Sequence, residues 1–489
     1  MINHYGSAVH RLPPEILAAV ASHLGDIYSL ITATHVCHHL RMALLSSPRL
    51  WSHLKFGSEE RVLAFLERSK LAPVSVDLVG LWKPSEGVRE SLNGIIHRLT
   101  GLRGLDDALL DGLLDHPVPM LETLDIIGRG ESETEKPMRS LPSLRSLTMA
   151  NLYWPRRFDI PHLTNFHFER TYHPGMSSAA GLGEDLLNIF RGCPLLEVVS
   201  LRYGDTGDGE DLRFATDEAS TKPVSLPHLR SFTHETALSK LLIGLFNRLS
   251  IPPTCVVGFA IDVTESDYRP WFPGFPAPRD QSYLSDVKRV DIAAYTVGED
   301  YLSRLMLKTE LVNSRNTKIS FSRRAYPSYD PSLFEFDNFL DFLDDFGITQ
   351  SVETLHFEDY PVPPHSSRGQ TERDLARQLQ KFCNLKSLVL RGCDPFIFLG
   401  DSSPSGLWYP TVEHVVVGSR LGMFCWDGEE SKVVKRVRDV AVARQKGGSP
   451  LKSISMFFKT AETLLWECRG EIEELRSCVK SVEVRGLRF

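Results

Sequence analysis

A short apolar phrase recurs along most of this chain, and it limits the possible folds more than any other feature. Written L-x-x-L-x-L with any apolar residue at the marked positions, it reads PMLETLDI from Pro119, PSLRSLTM from Pro142, PHLTNFHF from Pro161 and PLLEVVSL from Pro194. It continues as PHLRSFTH from Pro227, SDVKRVDI from Ser285, QSVETLHF from Gln350 and CNLKSLVL from Cys383, then PTVEHVVV from Pro410, PLKSISM from Pro450 and CVKSVEV from Cys478. The last two apolar positions are two apart, as one face of a strand requires, and the first sits one turn earlier. Helix-like stretches lie between copies: EDLLNIFRGC from Glu184, DNFLDFLDDFG from Asp337 and RDLARQLQKFC from Arg373. Strand and helix alternating every 20 to 35 residues or so predict a solenoid whose units bury their apolar faces against one another.

Two intervals between copies are long, and candidate strands fill them: TCVVGFAI from Thr254 and TKISF from Thr317. PVSVDL from Pro73 and LTGLRGL from Leu99 extend the array toward the N-terminus.

The first residues do not follow this pattern. In RLPPEILAAVASHL, Pro13 and Pro14 fit the first turn of a helix, where a missing N–H removes no bond. Ile16, Leu17, Val20, Ala21 and Leu24 then make one apolar stripe. SLITATHVCHHLRMALLSS keeps Leu30, Ile31, Ala33, Val36, Cys37, Leu40, Leu44 and Leu45 in helical register before Ser47 and Pro48 break it. Three short helices make a very small core, so leftover apolar surface would be buried on a partner.

Composition narrows the function classes. With 42% hydrophobic and 24% charged residues the 489-residue chain reads as globular, and a formal charge of -7 argues against binding nucleic acid through a basic surface. MINHYGSAVHRLPPE has no basic segment followed by an apolar one, so no secretory signal is expected. The longest uncharged apolar stretch, IPPTCVVGFAI, is about half of a membrane span. The expected location is cytoplasmic and/or nuclear, with no membrane partner. The eight cysteines include no closely spaced pair, so they read as reduced, mostly buried residues rather than a zinc module. His35, Cys37, His38 and His39 have no metal-site spacing, and GDTGDGED from Gly204 lacks the closing Glu of a calcium loop. No nucleophile elbow, phosphate loop, dinucleotide fingerprint or HExxH helix is present, so neither cofactor nor catalysis is expected.

LPPEIL, VCHHLR and SPRLWSHL, taken in that order, resemble an F-box motif over its full length. The strand-and-helix array resembles a leucine-rich repeat domain, with LKSLVLRGC from Leu385 meeting that family's full form. The expected α/β architecture is a small three-helix F-box module at residues 10–56 followed by a leucine-rich-repeat-like solenoid at 60–489. The resemblance implies docking on a Skp-type adaptor, and through it on a cullin, by Leu12, Pro13, Ile16, Leu17, Val20, Leu24, Leu30, Val36, Cys37 and Leu40. Ala18, Ala19 and Ala21 are smaller than many members carry there, and His38 and His39 replace the usual basic residues.

Long loops rich in Pro and aromatics follow several strands. They display Trp271, Phe272, Phe275, Tyr326, Tyr329, Tyr360, Trp408 and Tyr409, with Arg269, Arg279, Arg323 and Arg324 nearby. Aromatics beside Arg are common interface anchors, so these loops are expected to form a rim that holds a protein substrate. The same aromatics would also serve to pin the loops onto the array. The function implied is the substrate-recognition subunit of a ubiquitin ligase. A scaffold that binds partners without promoting ubiquitination, or a plain binding solenoid, fits the same features.

Overall fold

The computed structural model describes residues 11–24, 26–55, 58–79, 85–104, 116–127, 140–150, 159–170, 182–203, 223–236, 245, 248–262, 286–297, 304–314, 318–325, 343–344, 348–358, 379–393, 411–418, 430–458 and 461–486. The chain is mixed α/β and divides into two compact units, Met1–Leu229 and Arg230–Phe489. The eight aromatic rim residues, Arg269, Arg279 and the GDTGDGED run lie outside the described residues.

The first unit opens with three helices, α1 (Pro14–Ala21), α2 (Ile27–Thr34) and α3 (His38–Leu45). Pro14 begins α1, where its fixed φ suits the first turn. The Asp26 carboxylate caps α2 by accepting the Ser29 N–H at 2.9 Å, and Cys37 Sγ accepts the Leu40 N–H at 3.4 Å at the start of α3. Leu17, Ala21, Leu30, Ala43 and Leu44 form the small core. A turn at Pro48–Trp51 closes it, placing Trp51 at full burial.

Among the described residues a ladder of strands comes next: β1 (His53–Lys55), β2 (Val74–Asp77), β3 (Leu99–Gly104), β4 (Thr123–Ile127), β5 (Ser146–Ala150), β6 (Asn165–Arg170) and β7 (Val198–Tyr203). They pair in parallel in chain order. Helices α4 (Glu59–Ser69), α5 (Glu86–Gly94) and α6 (Leu182–Gly192) lie between β1 and β2, between β2 and β3, and between β6 and β7. The recurring phrase is the core of this ladder: in each copy all three apolar positions are buried, as with Leu121, Leu124 and Ile126, or Leu163, Phe166 and Phe168. At roughly 1.5 to 3 kcal/mol for each fully buried large side chain, these rows are the main source of stability. Register aligns Leu54, Val76, Leu102, Leu124, Leu147, Phe166 and Val199 in one buried row that starts on β1. Arg98, buried before β3, binds the layers by donating to Ser69 Oγ at 2.9 Å and to the Ala72 carbonyl at 2.8 Å.

On the opposite face, Gly101 lies between Ser75 and Thr123, whose hydroxyl oxygens sit 2.5 and 2.7 Å from where a Cβ would project. We expect Gly101→Val to lower the stability of this unit by about 1–3 kcal/mol through overpacking. A urea midpoint that Ser75→Ala partly restores would identify this crowding as the cause.

The second unit contains β8 (Ser231–Thr236), β9 (Val256–Asp262), β10 (Val287–Val297), β11 (Arg304–Asn313), β12 (Lys318–Ala325), β13 (Thr354–Glu358), β14 (Ser387–Arg391), β15 (His414–Gly418), β16 (Ser453–Phe458) and β17 (Ser481–Gly486). Their spatial order is 8-9-12-11-10-13-14-15-16-17. All neighbours are parallel except that β11 runs antiparallel to β10 and β12. TKISF therefore does not fill the interval after Val287 as a further parallel rung. It belongs to β12, beside β9, and Arg323 and Arg324 lie within that strand rather than in a loop. Helices α7 (Glu430–Lys446), α8 (Ala461–Glu467) and α9 (Arg469–Cys478) accompany the last strands. Among the described residues, no helix is long and apolar enough to cross a membrane.

His234 occupies the third apolar position of PHLRSFTH and is buried, and burial pushes its pKa down to about 3. The unfolded chain takes up this proton near pH 6.5, while the native state stays neutral. Stability is therefore full above that pH and falls as pH drops toward 3, by about 1.4 kcal/mol per unit. At pH 5 the expected loss is about 2 kcal/mol relative to pH 7. His234→Leu should remove it, as denaturant midpoints at the two pH values would show.

Candidate functional site

Helix α1 carries two apolar stripes. Leu17 and Ala21 point into the three-helix core, while Leu12, Ile16, Val20 and Leu24, each four residues apart, are 38% to 60% exposed. Residues four apart share one helix face, so this second stripe runs the length of α1 and just past its ends. Val36, Tyr28 and Met42 add exposures of 69%, 64% and 55%. Exposed apolar side chains in this number on so small a module make it a candidate interaction surface.

The residues expected at the adaptor contact thus separate. Leu12, Pro13, Ile16, Val20, Leu24 and Val36 are exposed, Cys37 and Leu40 are half-buried, and Leu17 and Leu30 belong to the core. Sequence reading missed Tyr28 and Met42. Met42 was legible as the residue opposite the Ala43–Leu44 face of α3, but Tyr28 needed the structure, where the Arg61 guanidinium lies 5.0 Å from its ring centre.

The module is joined firmly to the ladder through α4. Trp51 packs edge-on against Phe65 of α4 with ring centres 4.8 Å apart, and its Nε1–H donates to the Leu44 carbonyl at 2.9 Å. The Arg68 guanidinium lies 4.8 Å from the Trp51 ring centre. One aromatic ring thereby connects α3, the closing turn and α4.

The polar face of the first ladder forms a groove of about 320 Å³. Its floor carries the Ser75, Thr123, Ser146 and Thr148 hydroxyls, and its centre holds Arg103 between Asp125 at 2.8 Å and Asp77 at 3.7 Å. Burial raises the Asp125 carboxyl above its usual range, Arg103 opposes that, and Asp77 adds to it. The cation is thus matched by its two carboxylates. In the second unit, His414 Nδ1 meets Ser453 Oγ at 2.7 Å. The adjacent Glu413 carboxylate is 3.8 Å from Nε2 and is held more closely by Lys452 at 2.6 Å. Burial pushes the thiols of Cys193 and Cys255 up to about 12, which keeps both protonated and unreactive. Among the described residues there is no group of three or more His, Cys, Asp or Glu side chains arranged to hold a metal ion.

The exposed stripe on α1, the three-helix core behind it and the Trp51 closure together occupy one segment. A family model described as F-box-like matches residues 9–57. The match spans the three helices, the closing turn and β1, and it supports the F-box part of the resemblance. The F-box-like segment thus contributes Leu54 to the row of buried residues that runs along the ladder. Comparison with curated proteins finds no match for the chain.

Proposed function

We propose that this chain is the substrate-recognition subunit of a Skp-cullin-F-box type ubiquitin ligase. The F-box-like segment docks on a Skp-type adaptor, and the strand-and-helix array binds the target protein. The observation that carries this reading is the stripe of Leu12, Ile16, Val20 and Leu24, left exposed on a segment that matches an F-box-like model. The first unit's parallel ladder, paired in chain order, supports a leucine-rich-repeat-like array. The Trp51 closure supports delivery in a fixed orientation, because the docking module is packed against the next helix, α4.

The chain's contribution in this reading is proximity. A conjugating enzyme elsewhere in the complex transfers ubiquitin to a substrate held near it, so the chain itself needs no catalytic residue. The cytoplasm and nucleus are the compartments this role requires.

The test compares the partners of the full chain with those of an Ile16→Asp, Val20→Asp variant by proximity labelling. Both positions are exposed, so the variant keeps the core. Loss of adaptor and cullin with other partners retained is the expected pattern, and the retained partners are substrate candidates. A Skp-type adaptor that labels both proteins equally would overturn the assignment of α1.

A further inference from the structure

In the second unit a charged residue stands at the second position of β10 and directly before β13, β14, β15 and β16, and its sign alternates: Lys288, Glu353, Lys386, Glu413 and Lys452. Backbone register holds the row together. Each later member donates its N–H to the carbonyl of the one before, at 2.8, 2.9, 2.7 and 2.7 Å in turn. The side chains keep to the same row. Lys288 lies 3.4 Å from Glu353, Lys386 lies 2.9 Å from Glu353, and Lys452 lies 2.6 Å from Glu413. Lys386 holds the Glu353 carboxyl below its usual range and is itself raised by it, and Lys452 lowers Glu413.

Exposed ion pairs of this kind add little stability singly. Their arrangement answers a different problem. The same apolar phrase recurs in every copy, so burial alone discriminates weakly between possible neighbours, and misassembly is the characteristic failure of repeat chains. Charge is what differs between neighbours. Looping out β13 would set Lys288 beside Lys386, looping out β14 would set Glu353 beside Glu413, and looping out β15 would set Lys386 beside Lys452. Each omission replaces attraction with like-charge contact, which destabilises directly adjacent strands. The row ends at β17, where Lys480 repeats the sign of Lys452.

We propose that this alternating row selects strand neighbours in the second unit, penalising any arrangement in which one of the strands β13, β14 or β15 is skipped. Three variants of the full chain separate this role from ordinary ion pairing: Glu353→Gln, Glu353→Lys, and an inversion of all five charges (Lys288→Glu, Glu353→Lys, Lys386→Glu, Glu413→Lys, Lys452→Glu). Hydrogen exchange is monitored at the amides of Thr354–Glu358. At low salt these amides should exchange about tenfold faster in Glu353→Lys than in Glu353→Gln, because two like contacts replace two matched ones. In about 1 M salt, where the screening length is about 3 Å, that gap should close. The five-charge inversion restores alternation and, with Asp286→Asn added because that carboxylate lies 3.7 Å from Lys288, should protect β13 as the natural sequence does. Equal exchange in Glu353→Gln and Glu353→Lys would overturn the proposal. So would an inverted chain in which β13 is unprotected, a result that stays decisive even when Glu353→Lys fails to fold.

Discussion

Trp51→Ala should lower the stability of the first unit by about 3–5 kcal/mol, the range for removing a fully buried large aromatic. The side chain is 0% exposed, so truncation leaves a cavity where three elements meet. Phe65 loses its edge contact at 4.8 Å, and Arg68 loses the ring it covers. The loss of the Nε1–H bond matters less, because the Leu44 carbonyl still accepts the Ser47 N–H at 3.2 Å. Trp51→Phe should therefore be clearly milder. Urea denaturation monitored by far-UV circular dichroism checks both variants. An alanine variant within about 1 kcal/mol of the natural chain would mean that the ring does not join the F-box-like segment to α4.

The second large effect falls on binding rather than stability. Ile16→Asp with Val20→Asp should weaken adaptor binding by at least about a hundredfold, since central apolar anchors at interfaces each contribute about 2 kcal/mol or more. Val20 is 60% and Ile16 48% exposed, and surface substitutions of this kind change folding by only about 0.5 kcal/mol. Leu17→Asp would give no such separation, because Leu17 is 4% exposed and a buried carboxylate would unfold the module.

How much of the fold was legible in the sequence depends on how local each signal is. The three apolar positions of the recurring phrase specify a strand and its buried face within eight residues. Leu124, Leu147, Phe166, Leu355, Leu388 and Val415 are all buried as that pattern requires. The F-box-like ends and middle were legible for the same reason. On α1, sequence could not separate exposed residues from core, since Ile16 and Leu17 are neighbours on one broad stripe and packing against α3 decides which is covered. The strand Arg304–Asn313 was missed, although Leu305, Leu307, Thr309 and Leu311 alternate in its sequence. Its antiparallel placement between β10 and β12 is a pairing choice that periodicity does not encode. PHLRSFTH counts as a copy of the phrase although a histidine holds its third apolar position, and the fold buries His234 like its neighbours.

The most direct test of the proposed role is a calorimetric titration of the full chain with a purified Skp-type adaptor. Saturable one-to-one binding with a negative heat-capacity change is expected, because the contact buries the apolar stripe of Leu12, Ile16, Val20 and Leu24. The same titration with the Ile16→Asp, Val20→Asp variant should give no measurable heat. Failure of the natural chain to bind the adaptor, or equal binding by the variant, would contradict the account.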